Sequence, residues 1–315
     1  MPRFAIAPAA ATVESSPWRP QAFGLVIIAA AIIGIVGGFV FSTFYSRGAL
    51  AGYEYHLWRW QADNFTTSVF TRLGIGPDPD DPQWGIPEAA GIFLASVLAL
   101  LAGAQIFVVA YMIYAGREGI VLPSGEEMLQ SPGLVMASIL GSGVGHVVTI
   151  ALAWLVVTNG GRESFFRSIG WGWQRGIGPV SVMIAFGGVY AANLAFALVF
   201  QWLDMVPENT PFEQVLSLSF ATRLAISVFA VVSAPFVEEV VFRGIIYPAL
   251  ARRTGRIAAI LVVSALFLGV HVAQYDGSAA FLLPLGLLSI VLTTLRAVSG
   301  SVMPSFALHL VFNLC

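Results

Sequence analysis

Residues 224–250 constrain the chain more than any other stretch. They are apolar and long enough to cross a bilayer, which takes about 20 residues at 1.5 Å of rise each. Yet Glu238, Glu239 and Arg243 stand in their interior. An acidic or basic side chain at the centre of a membrane helix costs roughly 2.5–3.5 kcal/mol on insertion scales. Such residues persist where they face a protein interior or a wet cavity, so the remaining chain must supply partners. Only 10% of the 315 residues are charged and 57% are hydrophobic, against about 25% charged in a soluble domain. The fold class that follows is all-α: a polytopic membrane helical bundle with about eight transmembrane helices, expected in a prokaryotic inner or plasma membrane.

The spans read in order. Residues 1–20 are a disordered, Ala- and Pro-rich tail. Uncharged residues 21–46 form a first span with Gly34 and Gly38 at close-packing spacing. Residues 47–88 are polar and Trp-rich, as suits an interface; their Asp78-Pro-Asp-Asp-Pro82 run lacks the ligand spacing of a calcium loop. Further spans are expected over 89–115, 134–158, 178–202, 224–250, 257–273, 277–295 and 301–315. The last has 15 residues and is expected to stop short of the far face. His146, after Gly141-Ser-Gly-Val-Gly145, reads as a helix–helix hydrogen-bonding group, with a proton path as the alternative. Residues 160–176 interleave Arg with Phe and Trp and read as an interfacial segment. These features divide the chain into the tail (1–20), an N-terminal four-span region (21–202) and a C-terminal four-span catalytic region (203–315). With eight spans, the arginines of 47–72, 162–175, 251–256 and Arg296 fall on one face, which the positive-inside rule makes cytoplasmic.

The net charge of −2 gives no sign of nucleic acid as a partner, and the single cysteine, Cys315, excludes a disulfide framework or thiolate metal cluster. Within 224–250, Glu239 and Arg243 are four apart with the acid first, the favourable order for an ion pair along a helix. Glu238 lies about 100° around the helix from Glu239 and is left without a local partner. Polar groups downstream match it in depth. Counted from the loop at 251–256, Glu238 is about 20 Å and His271 about 22 Å along their helices, and His309 and Asn313 are about 12 Å and 18 Å from Ser301. A glutamate beside a histidine can deprotonate water, and a second histidine with an amide can donate to an oxyanion. That is hydrolysis of an amide or ester without a side-chain nucleophile. Two alternatives stay open: a zinc enzyme with Glu238, His271 and His309 as ligands, and a non-catalytic transporter or scaffold in which Glu-Glu-Arg is a structural clamp.

The three patterns Glu238-Glu239-Val-Val-Phe-Arg243, Phe267-Leu-Gly-Val-His271 and His309-Leu-Val-Phe-Asn313 resemble, in order and spacing, the CPBP family of intramembrane proteases. That family comprises CAAX prenyl endopeptidases, bacteriocin-processing proteins and the Abi group. The resemblance covers 221–313. It implies a glutamate-dependent, metal-free peptidase with Glu238 as general base beside His271. His309 and Asn313 would then form the oxyanion site, with Glu239, Arg243 and Phe267 as support. The partners implied are the bilayer and a peptide or membrane-protein substrate, prenyl-type or otherwise membrane-held, and no cofactor is expected.

Overall fold

The computed structural model describes residues 82–123, 128, 131–173, 177–203, 218–275 and 277–315. The expected tail, the first span at 21–46, the polar stretch as far as residue 81 and residues 204–217 lie outside the described residues. Among the described residues there are helices and connecting turns and no strand. The principal helices are α1 (Ile86–Arg117), α2 (Pro132–Val157), α3 (Pro179–Trp202), α4 (Phe220–Thr254), α5 (Arg256–His271), α6 (Ala279–Ser299) and α7 (Met303–Leu314). Five of them, α1 to α4 and α6, are long and apolar enough to cross a membrane. With 16 and 12 residues, α5 and α7 extend only about 24 Å and 18 Å.

Proline and glycine set these boundaries. Pro87, Pro132, Pro179 and Pro304 each lie in the first turn of a helix, where the missing N–H has no intrahelical acceptor to lose. At the start of α1, Glu88 reaches back to the Gly85 N–H at 2.8 Å. Gly255, at φ +81°, takes a conformation that a side chain disfavours and turns α4 directly into α5. The two helices form an antiparallel hairpin: Phe242, thirteen residues before Gly255, meets Phe267, twelve after it, edge to face at 5.2 Å.

Helix α4 runs on from Phe220 to Thr254, but two of its stretches are π-helical, Phe229–Ser233 and Glu239–Ile246. Each lies just before a proline, Pro235 and Pro248. A proline ring inside a helix clashes with the carbonyl four residues back, here Val231 and Gly244, and both belong to the widened stretches. The π turns therefore carry a 35-residue span past two prolines without a break.

Packing surrounds α4. Its second half shares a buried cluster with Trp84, Ala89 and Ile92 from the start of the described chain, Ala153 and Val157 of α2, Val263 and Phe267 of α5, and Ala297 of α6. The core thus crosses the residue 202/203 boundary between the two expected regions. Helices α1 and α2 approach closely: a Cβ on Gly141 would lie 2.1 Å from the Gly103 carbonyl oxygen. His146 of α2 bonds Ser233 Oγ at 2.8 Å and stacks on Phe229 at 4.6 Å, the helix–helix role read from sequence. Segment 165–172 carries only one short helical turn, Phe165–Ser168. It docks on the α6–α7 turn, where Val302 N–H donates to the Gly170 carbonyl at 2.9 Å. Helix α3 packs Val182 and Val189 against Leu288 and Leu292 of α6 and Leu308 of α7.

Candidate active site

The site begins with a buried ion pair. Arg243 Nη1 donates to Glu239 Oε1 at 3.0 Å, and both side chains have no exposure. A guanidinium carries five N–H donors in a rigid fork, so one carboxylate cannot satisfy it. Helix α6 supplies the rest: Arg243 Nε donates to Thr293 Oγ1 at 3.2 Å, and Nη2 donates to Ser289 Oγ at 2.8 Å and to the Ser289 carbonyl at 3.2 Å. The face of Phe267 lies 4.6 Å from the guanidinium carbon, a cation–π contact. Expected as self-contained, the Glu239–Arg243 clamp instead ties α4 to α5 and α6. The reason is stoichiometric: an i,i+4 contact leaves most donors of one group and acceptors of the other unmet inside apolar surroundings.

His309 of α7 completes this network. Its Nδ1 lies 2.9 Å from Glu239 Oε1, and its Nε2 lies 3.8 Å from Glu238 Oε2. One imidazole therefore stands between the two adjacent glutamates. The sequence leaves Glu238 without a partner on its own helix and looks for one downstream; His309 is the downstream group that faces it. Consecutive helical positions diverge by about 100°, but a ring with nitrogens on two edges spans them. Glu239 Oε1 already accepts from Arg243, so it accepts from His309 as well and the proton sits on Nδ1. The 3.8 Å separation to Glu238 is beyond a direct hydrogen bond.

His271, the last residue of α5, has its Nδ1 2.7 Å from the Phe267 carbonyl. A carbonyl only accepts, so this ring too carries its proton on Nδ1 and leaves Nε2 for other chemistry. Phe267 itself is fully buried, with ring contacts to His271 at 4.6 Å and to His309 at 6.0 Å. One aromatic side chain thus sets the spacing of both histidines and Arg243. The sequence expectation paired Glu238 with His271; the contacts place His309 nearer Glu238, and none within 4.0 Å joins it to His271. Asn313 Nδ2 donates to the Ala230 carbonyl at 2.9 Å, eight residues before Glu238.

Exposure separates the two acids. The Glu238 side chain is 25% exposed and that of Glu239 is 0% exposed, so only Glu238 is reachable from outside the bundle. Tyr275, in the turn Ala273–Tyr275 after His271, is a neighbour that sequence reasoning missed. Burial pushes its phenol above the ordinary range, and the negative charge of Glu238 pushes it the same way. Its ring stacks on Phe281 at 5.3 Å. Ser289 and Thr293 were also missed, although a signal existed: Ser289, Thr293 and Arg296 recur at helical spacing on an apolar helix, the mark of one polar stripe. As for zinc, no group of three His, Cys, Asp or Glu side chains is gathered at ligand spacing among the described residues.

Comparison with known proteins adds one match. Residues 219–315 fit the family model described as type II CAAX prenyl endopeptidase Rce1-like. No curated protein and no solved structure matches the chain. The matched segment begins at the N-cap of α4 and contains every residue of the site just described. The family of that model agrees with the one that the three sequence patterns resemble.

Proposed function

We propose that this multi-pass membrane protein, whose C-terminal segment is at family level a CAAX-type intramembrane protease, cleaves a peptide bond of a membrane-held or prenyl-type peptide at Glu238. The observation that carries the reading is the difference between the adjacent acids. Glu239 is committed to Arg243 and His309, whereas Glu238 is part exposed and faces His309 Nε2 at 3.8 Å.

In this mechanism Glu238 takes a proton from a water bound beside it, assisted by the unprotonated Nε2 of His271. The hydroxide adds to the scissile carbonyl carbon and the carbonyl π pair moves to oxygen. His309, as an imidazolium whose Nδ1–H is held by Glu239 and whose Nε2 carries a second proton throughout, donates to that oxyanion, and the remaining amide N–H of Asn313 is the second donor. Collapse of the tetrahedral species breaks the C–N bond. The proton taken from water passes to the leaving amine, so the acids and histidines return to their starting states. Arg243 and Phe267 touch no reacting atom; they hold the carboxylate and rings that do.

The test uses the full chain in liposomes with a quenched fluorogenic panel: prenylated peptides with a CAAX-type C-terminus, and unprenylated membrane peptides. Cleavage of a panel member by wild type, lost in His271→Ala, supports the proposal. Cleavage that survives His271→Ala, or activity abolished by prolonged chelation and restored by zinc, overturns the mechanism. A folded, inactive wild type across the whole panel favours the structural clamp.

A further inference from the structure

The two prolines of α4 leave a pair of carbonyls without their backbone donors, one on each side of Glu238 and Glu239. In the first π stretch the ladder runs five residues back, with Ala234 N–H donating to the Phe229 carbonyl. The next bond in that series would join residue 235 to Ala230, and residue 235 is proline, with no N–H to give. In the second stretch Tyr247 N–H donates to the Phe242 carbonyl. The next bond would join residue 248 to Arg243, and residue 248 is again proline. Both orphaned carbonyls are met by side chains from later helices. Asn313 Nδ2 donates to the Ala230 carbonyl at 2.9 Å, and Arg296 Nε donates to the Arg243 carbonyl at 3.0 Å.

We infer that Arg296 and Asn313 are positioning residues that replace the missing proline donors, and so fix the height and rotation of the α4 segment presenting Glu238 and Glu239. The segment between the caps holds both glutamates and the ion-paired Arg243. Each cap ties that segment to a helix carrying another part of the site: Arg296 lies on α6 with Ser289 and Thr293, and Asn313 lies on α7 with His309. Arg296 is 1% exposed, and its guanidinium also lies 5.4 Å from the Tyr247 ring. It sits beside the proline turn as part of the buried interior. A buried carbonyl that loses its donor costs more than an average hydrogen bond contributes. This pressure accounts for a buried cation on α6, Arg296, close to an Arg243 that already has its acid.

The inference deepens the proposed catalytic reading but is separable from it, because its signature is the rescue of one substitution by another. Arg296→Met orphans the Arg243 carbonyl, and Pro248→Ala gives residue 248 an N–H that can serve it. The assay measures kcat and KM of panel cleavage together with the thermal midpoint in detergent, for both single variants and the double. Arg296→Met is expected to lower kcat by about tenfold or more, the scale of one orphaned buried group, with KM little changed. Adding Pro248→Ala should recover several-fold of kcat and part of the midpoint. Where Arg296→Met alone does not accumulate as folded protein, recovery of folded protein in the double variant is the supporting result. Effects of the two substitutions that simply combine, in midpoint and in kcat alike, overturn the inference, as does a double variant no better folded than Arg296→Met. Asn313→Ala with Pro235→Ala gives the matching cycle, scored on midpoint alone because Asn313 belongs to the proposed chemistry. If no peptide is cleaved by wild type, the catalytic reading fails while the midpoint cycles still decide this one.

Discussion

Removing Arg243 tests the architecture most severely. Arg243→Met keeps the length and much of the apolar volume of the side chain and removes the charge. It leaves Glu239, with no exposed surface, as a buried carboxylate without its counter-ion, still bonded to His309 at 2.9 Å. Breaking a buried ion pair by deleting one partner costs about 3–5 kcal/mol. The bonds to Thr293 Oγ1 and Ser289 Oγ at 3.2 Å and 2.8 Å are lost as well. Against a total stability of about 5–15 kcal/mol, this approaches unfolding. Glu239→Gln with Arg243→Met removes both charges and retains an acceptor for His309 Nδ1, so the double variant should recover about 2 kcal/mol or more of the single-variant loss. Reversible chemical unfolding in mixed micelles, followed by tryptophan fluorescence, gives the three differences. An Arg243→Met loss below about 1 kcal/mol, the scale of an exposed pair, would refute the buried network. So would a double variant as unstable as the two losses combined.

Three further outcomes follow. Tyr275 has its phenol pushed above the ordinary value of 10.0 by burial and by Glu238. The folded state therefore keeps the proton that the unfolded chain gives up, and stability falls as pH rises past about 10; Tyr275→Phe should flatten the unfolding midpoint over pH 9–11, and an unchanged slope would contradict the placement. Gly141→Ala puts a methyl 2.1 Å from the Gly103 carbonyl oxygen, forcing α1 and α2 apart at a cost of about 1–3 kcal/mol; a neutral unfolding midpoint would show that the helices do not approach so closely. Phe267→Leu removes the ring that contacts Arg243 at 4.6 Å and spaces the two histidines. It should lower kcat more than it raises KM, and a change confined to KM would assign Phe267 to substrate binding instead.

Much of this arrangement is legible in the sequence because membranes impose simple lengths. Residues 134–158 and 178–202, expected as spans from hydropathy, are Pro132–Val157 and Pro179–Trp202 in the structure, and residues 279–299 sit within two to four positions of expectation. A 1.5 Å rise, counted from the turn at 251–256 for Glu238 and from Ser301 for His309, already brings these two groups to overlapping depths, and they lie 3.8 Å apart. Azimuth did not follow. The assumption of 100° per residue holds for an α-helix, and the residue after Glu238 opens a π stretch, so the separation read between Glu238 and Glu239 gave no clue that His309 would meet both. Asn313 shows the same limit: four residues from His309 predicts one shared face, but not that the Ala230 carbonyl, stripped of a donor by Pro235, would claim the amide. In the sequence, Arg296 stands out only as one arginine of the face that sets orientation. Its burial depends on a missing N–H at Pro248, a debt visible only once the π register is known.

The proposed division of labour between the adjacent acids is tested most directly by Glu238→Gln measured beside Glu239→Gln in the same liposome assay. Glu238 is part exposed and makes no ion pair shorter than 3.8 Å among the described residues. Its amide should therefore fold with the wild-type unfolding midpoint and cleave at less than about one-thousandth of the wild-type rate, as expected when the base that activates water is lost. Glu239→Gln should instead lower the midpoint, because Arg243 loses its counter-ion, while retaining measurable turnover in the folded fraction. The contrary result, a folded Glu238→Gln that still cleaves beside a stable Glu239→Gln that does not, would move the chemistry to the buried acid and contradict the assignment.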